Sequence, residues 1–485
     1  MEVLQRTANR GSISTGPYQI DNSCMFNWNG TNNAGNGQSY MYDASWTGTP
    51  TSTTTGCFST WFKNSLSNAT NSLGVASFVN NYSDGSNRSY IMGDWGSGGN
   101  FVFGQKVSGS WNFRVVSNAL FRDPAAHYHF FAVWDTSNST ESERIRLYVN
   151  GERITSLSDE IYPSQNQECY IVSKEDFSVG RAYSSVYGNF THGYMAETHF
   201  VDGTAYAPTD FGEFDEDSGI WKPKQVSVSY GNKGFYLDYK DASNLGNDVS
   251  GNNRDLTLSD IDSSNQATDT PTNNFCTLFP PPDAVTGTEP SVKEGGTTMF
   301  GGVSSSQNAF GTMGVRSGKW YFESTITDDG GVATSNHNFG VIDPEQITYV
   351  MTSGRDIGAS PAGWACASNS SPRNNNAAAS GANATGALNE NEIMGVAIDM
   401  DNGKIWWHRQ GTWTSISSTA GDPANGTTPA FSNLLTATTE HLIPAGGFYV
   451  NDGNQIRVMN FGGYAQSVFT AVGTYADANG YGSFA

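Results

Sequence analysis

The stretch from Gly395 to Trp413, GVAIDMDNGKIWWHRQGTW, constrains the fold more than any other. Val396, Ile398 and Met400 alternate with Ala397 and Asp399, Asp401-Asn402-Gly403 supplies a turn, and Ile405 to His408 begins a second strand. Period-2 alternation broken by a D-N-G turn is a strong short-range signal for a β-hairpin. The same grammar recurs along the chain. CFSTWFK (57–63), HYHFFAVWD (127–135) and GKWYFESTI (318–326) read as strands, and RIRLYVNGERI (144–154) reads as a hairpin about Asn150-Gly151. In GKWYFESTI, Trp320, Phe322 and Ser324 share one face, and Tyr321, Glu323 and Thr325 the other. No long segment has a 3.6-residue period, so helix is expected to be scarce.

At 485 residues the chain exceeds one ordinary core, and length alone suggests roughly two to four domains. Aromatic residues make up 13% of it and glycine about one residue in nine. That composition suits thin, aromatic-rich cores between sheets, joined by many turns. The formal charge of −21 argues against nucleic acid or an anionic membrane as partner, because phosphate binding needs clustered Lys and Arg. No apolar run reaches the ~18 residues that span a bilayer, and MEVLQRTANRGSIST has no signal-peptide pattern. Cys24, Cys57, Cys169, Cys276 and Cys366 are scattered without a CxxC pair, which predicts free buried thiols. A surface that looks extracellular, without export signal or disulfide framework, suits a protein made in a reducing cytoplasm and released by lysis.

Particular segments carry family resemblances. The order FFAVWD, LYVNG, FSVGR and MAETHFVDGTAY, from about Asp21 to Trp221, resembles a laminin-G, concanavalin A-like domain. That implies a two-sheet jelly-roll sandwich, a fold used for glycan and protein binding and by some glycan-cleaving enzymes. The order GKWYFE, FGVID, GVAIDMDNGKIWW, IPAGGFYV and NFG, from about Asn274 to Gly463, resembles a SPRY domain, another β-sandwich, whose loops bind partners. The chain departs from that pattern where Gln410-Gly411 and a further tryptophan stand at the hairpin tip. Taken whole, with ISTGPYQIDNS, DTPTNNF and SVFTAVGTYADANGYGSF, the chain resembles virion structural and fibre-type proteins of marine bacteriophages.

The expected architecture is all-β, two antiparallel β-sandwiches in tandem with long polar loops. Residues 1–22 form an arm or first edge strand, 23–225 the laminin-G-like sandwich, 226–273 closing strands and a polar linker, 274–463 the SPRY-like sandwich and 464–485 a tail. The proline-rich 280–285 cannot be central strand, and Gly354 to Leu388 reads as a long loop.

Few residues offer chemistry. Glu213, Asp215 and Asp217 would share a strand face in the manner of a glycosidase acid pair. They lie between glycines without apolar alternation, so a solvated acidic turn is expected and no catalytic residue is assigned. His127 with His129, and Glu197 with His199, would make a metal site only if their strands were neighbours; histidines satisfied by hydrogen bonds are commoner. The laminin-G resemblance implies loop calcium, for which Asp241, Asn244, Asp248 and Asn252 are candidates, although Asx turns explain the same residues. No other cofactor is implied. Alternation points Trp406 and His408 away from the core, with Trp413 beyond the turn, so these three are candidates for contacting a glycan or protein, the alternative being that Trp406 packs under the Gly354 to Leu388 loop.

The expected function is that of a virion structural protein, of capsid or tail fibre, whose adhesive modules meet a host glycan or receptor. Its partners would be other virion proteins and copies of itself; no heptad repeat marks a coiled coil. A glycan-cleaving enzyme and a SPRY-type adapter are the alternatives.

Overall fold

A computed structural model describes residues 2–3, 18–27, 38–65, 75–94, 99–182, 190–279, 291–301, 307–329, 337–352, 355–367, 372–382, 389–438, 441–448, 455–464, 466, 468–469 and 484. The chain is all-β, and its contacts divide it into two compact units, Asn9–Asn274 and Met1–Ala8 with Phe275–Ala485. Helix is confined, among the described residues, to short turns such as Tyr170–Ser173, Ile347–Thr352 and Leu434–Ala437. None of these is long and apolar enough to cross a membrane.

The unit Asn9–Asn274 is a sandwich of two eight-stranded sheets whose strand pairs are antiparallel. In the first sheet Thr55–Asn64 lies between Tyr128–Asp135 and Gly193–Asp202. The Asn150-Gly151 hairpin forms as its sequence predicts, with both residues at positive φ (50° and 80°), the geometry of a two-residue turn matched to strand twist. The second sheet runs, in spatial order, from Leu157–Ile161 through Ser110–Leu120, Asn100–Val107, Asn87–Asp94, Val75–Asp84, Asp176–Val179 and Tyr40–Asp43 to Thr257–Ser259. Alternate residues of each sheet face inward, where Phe58, Phe62, Phe130 and Phe200 meet Phe78, Phe101 and Phe177. Each such side chain contributes about 1.5–3 kcal/mol by leaving water.

Residues 226–273 belong to this sandwich. Phe235–Leu237 pairs with Gly193–Asp202, Thr257–Ser259 with Tyr40–Asp43, and Gln266–Ala267 with Ser23–Phe26. The expected polar linker is thus corrected over 259–274: its polar side chains are spent on structure. Asp269 is buried against Lys63 and His127.

The unit of Phe275–Ala485 is a second sandwich. One sheet contains Gln455–Asn460, Lys319–Asp329, Ile393–Asp399 and Lys404–Arg409 as consecutive neighbours; the facing sheet contains Ile443–Phe448, His337–Ile342 and Gly363–Ala367. The opening hairpin forms in the expected register, Ile398 opposite Ile405 and Val396 opposite Trp407. Phe322, Val396, Ile405 and Trp407 pack inward on Phe339, Val341 and Trp364, and Trp407 Nε1 donates across the core to the Phe339 carbonyl, 3.0 Å away. One further correction arises here, and the N-terminal segment takes the strand form offered for it. The presumed loop 354–388 contains the fully buried strand Gly363–Ala367, whose small residues hide a strand from a hydrophobicity count. The arm's Glu2–Val3 pairs in parallel with Trp320–Tyr321. Residues 280–285 lie outside the described part of the chain.

All five cysteines are free and buried. Burial pushes the thiols of Cys24, Cys57 and Cys169 far above their ordinary range, leaving them inert.

Candidate functional site

The structure redistributes the residues singled out from sequence. Trp406 and His408 do point away from the core between the sheets, yet both are buried, at 2% and 5% exposure. Trp406 donates from Nε1 to the Thr427 carbonyl at 2.8 Å, so the turn around 421–428 covers it. His408 accepts at Nδ1 from the Gly411 amide (3.1 Å), which leaves the proton on Nε2 for Tyr321 Oη at 2.6 Å. Tyr321 in turn donates to the buried Glu323 at 2.6 Å. The expectation that Trp406 and His408 offer an open contact surface is therefore corrected: strand alternation fixes a face but not what lies over it. Trp413 is half-buried, its ring edge-on to His408 with centroids 4.7 Å apart. Trp413→Ala should cost this unit only about 1 kcal/mol, the worth of one aromatic pair. Urea denaturation measures it, and a loss of about 3 kcal/mol or more would place Trp413 in the core.

The calcium candidates are each spent on hydrogen bonds within the protein. Asp248 accepts from the amides of Tyr236, Ser250 and Arg254 and from Ser250 Oγ, at 2.9–3.0 Å. Asp241 accepts from Ser243 N and Oγ, Asn244 from the Gly246 amide, and Asn252 donates to the carbonyls of Gly231 and Gly234. Asx-turn chemistry accounts for Asp241, Asn244 and Asp248, and Asn252 ties its loop to the distant 231–234 segment.

The histidines do not converge. Thr55–Asn64 separates the strand of His127 and His129 from that of Glu197 and His199. His129 accepts from Trp221 Nε1 and donates to Ser59, while His199 contacts Tyr230 Oη and Glu197. Glu213, Asp215 and Asp217 lie on and beyond a two-stranded ribbon, with Lys222 bridging the first two. Glu213 and Asp217 are exposed there, as a solvated turn requires.

The residues best placed for recognition are ones the motif reading passed over. They lie on the outer face of the second sheet of unit Asn9–Asn274. Strand register sets Asn80, Tyr90, Gly104 and Arg114 side by side across four strands, with Tyr82, Arg88, Lys106 and Trp111 in the next row. Gly104 makes this face shallow. A Cβ there would stand 3.0 Å from the Trp111 ring and 3.4 Å from Tyr90, so both rings close over the glycine, edge to face at 5.9 Å. Cations ring the indole. Lys106 Nζ is 4.5 Å and the Arg114 guanidinium 5.2 Å from its centroid, and the Arg88 guanidinium is 6.0 Å from the Tyr90 ring. Further along, Arg181 lies over Tyr40 at 4.0 Å and donates to Tyr82 Oη.

Trp111, Tyr82, Tyr40 and the four cations are all half-exposed. Acids on the strands of this sheet include Asp159, which pairs with Arg114 at 2.7 Å, Glu160, Asp176, Asp43 and Asp84. Burial, then Arg88 and Arg114, hold Lys106 below the usual lysine range. At the centre Asn80 is fully buried, and neither atom of its amide finds a partner among the described residues. The signal was available in the sequence: residues 85–122 hold four basic residues and one acid, within a chain of net charge −21.

No family model matches the chain, and neither does any curated protein. Among solved structures it is similar to the SPRY domain of human HERC1, at 14% identity over 35% of this chain and 91% of that one, with a TM-score of 0.26. It is similar to stonustoxin at 16% identity over 38% of this chain and 27% of that one, with a TM-score of 0.26. The carbohydrate-binding module of the Ruminococcus gnavus IT-sialidase, bound to α2,3-sialyllactose, matches at 12% identity over 30% of this chain and 73% of that one, with a TM-score of 0.22. Likenesses at this level identify no family.

Proposed function

We propose that this chain is a structural, adhesive component of a bacteriophage virion, of capsid or tail fibre, whose β-sandwiches contact glycans on the host surface. The observation that carries the adhesive part is the outer sheet face around Trp111, where half-exposed aromatic rings and cations are fixed on rigid strands and not on loops. Amphipathic rings held in this way suit sugar stacking with little ordering cost. The virion assignment is supported by the phage-like wording along nearly the whole sequence, and by free buried thiols that suit a reducing site of synthesis.

Mass spectrometry of purified particles should find the chain at stoichiometric copy number, and its absence would refute the virion role. Purified chain added in excess should slow particle adsorption to host cells. The Trp111→Ala variant should slow it less, and equal competition by the two would remove this face from attachment.

A further inference from the structure

Resting on that adhesive reading, we infer that the outer face around Trp111 binds an anionic saccharide, with Arg88, Lys106 and Arg114 meeting its carboxylate or sulfate groups and Trp111 stacking on a ring. Three features of the face point to such an occupant.

The first is charge. A chain of net −21 concentrates Arg88, Lys106 and Arg114 on three adjacent strands, with Asp159 paired to Arg114. Arg88 and Lys106 stand directly opposite each other across their strands, and like charges in that position destabilise a sheet. An anionic ligand turns this cost into binding.

The second is shape. At Gly104 the Trp111 and Tyr90 rings lie against the sheet where a Cβ would crowd them, so the indole and the cations around it make a low, flat contact surface. Guanidinium groups present paired N–H donors that match carboxylate or sulfate oxygens, and a pyranose ring covers about the area of an indole. The third is composition. Three or four cations mixed with phenols suit short acidic sugars better than a nucleic-acid backbone, which needs a longer basic track.

The test uses the full chain, immobilised, against four probes: polygalacturonate, dextran sulfate, neutral dextran and single-stranded oligo-dT. One or both of the anionic polysaccharides should bind about tenfold or more tighter than dextran, and their ranking tells carboxylate from sulfate recognition. Raising salt from about 50 to about 300 mM should weaken the interaction several-fold. Lys106→Gln with Arg88→Gln should weaken it about tenfold while moving the thermal midpoint little, because relief of the like-charge pair offsets the loss of two cation–π contacts. A merely structural role for these residues would lower the midpoint instead. Trp111→Ala should weaken whichever anionic probe binds.

Dextran binding as tightly as the anionic probes would overturn the anionic specificity and leave glycan adhesion standing. Preference for oligo-dT would overturn the saccharide assignment. Silence towards all probes, with no competition for adsorption, would bring down the adhesive reading itself.

Discussion

Asp269→Asn is expected to cost the unit Asn9–Asn274 about 3–5 kcal/mol, enough to consume much of the stability of an ordinary domain. Lys63 is fully buried and its ammonium donates to Asp269 at 2.7 Å and to Asn274 Oδ1 at 2.8 Å. His127 donates from Nε2 to the other oxygen of Asp269 at 2.9 Å. Burial raises the Asp269 pKa, but Lys63 and then His127 outweigh it, so the carboxyl sits below its ordinary value. The group therefore contributes stability that is present above its unfolded pKa and is lost as pH falls through the folded one. Asparagine in its place leaves Lys63 charged, dry and uncompensated. Lys63→Met should be nearly as costly, for it strands the carboxylate. The pair Lys63→Met with Asp269→Asn should recover at least half of the summed loss, since neither charge is then orphaned. Urea denaturation of the three variants measures this, and a loss below about 1 kcal/mol for Asp269→Asn would show that water reaches the pair.

This triad also marks where sequence reading ends. The strands were legible because period-2 alternation is a local property: Trp320, Phe322 and Ser324 face inward as their spacing says, and Asn150-Gly151 and Asp401 to Gly403 turn where they should. Asp269 lies in a polar stretch that looks like a linker, and only its partner 206 residues away makes it a core residue. Trp406 failed for the same reason in reverse. Its face was legible, but the cover supplied by Thr427 was not. The strand Gly363–Ala367 hid because GWACA has one large side chain, Trp364. The cationic face was half legible. Residues 85–122 show their excess of positive charge in sequence, but that Arg88, Lys106 and Trp111 stand in one row depends on the strand pairing.

The second large effect is expected in acid. Burial holds His337 down to about 3, with Arg457 adding to the effect, and holds His408 down to about 4; both belong to the unit of Phe275–Ala485. Neither ring can accept a second proton without loss. His408 Nδ1 already faces the Gly411 amide, so protonation would oppose two donors, and His337 lies beside a buried cation. An unfolded chain takes up these protons near pH 6.5. The folded pKa values are thus depressed, so the contribution is whole above about 6.5 and shrinks as pH falls towards the folded values. At about pH 4.5, two units below, each histidine has cost about 2.7 kcal/mol, or about 5 kcal/mol for the pair. That is comparable with the whole stability of a domain.

The unit should therefore lose its tertiary structure between about pH 5 and 4, above the range where carboxylates alone would unfold it. Tryptophan fluorescence and near-ultraviolet circular dichroism follow the transition. His337→Leu removes one titration while sacrificing no hydrogen bond among the described residues. It should move the acid midpoint down by about half a pH unit or more. An unchanged midpoint, or an imidazole signal assigned to His337 or His408 and titrating near 6.5 in the folded protein, would mean that solvent reaches these rings and that other groups drive the acid transition.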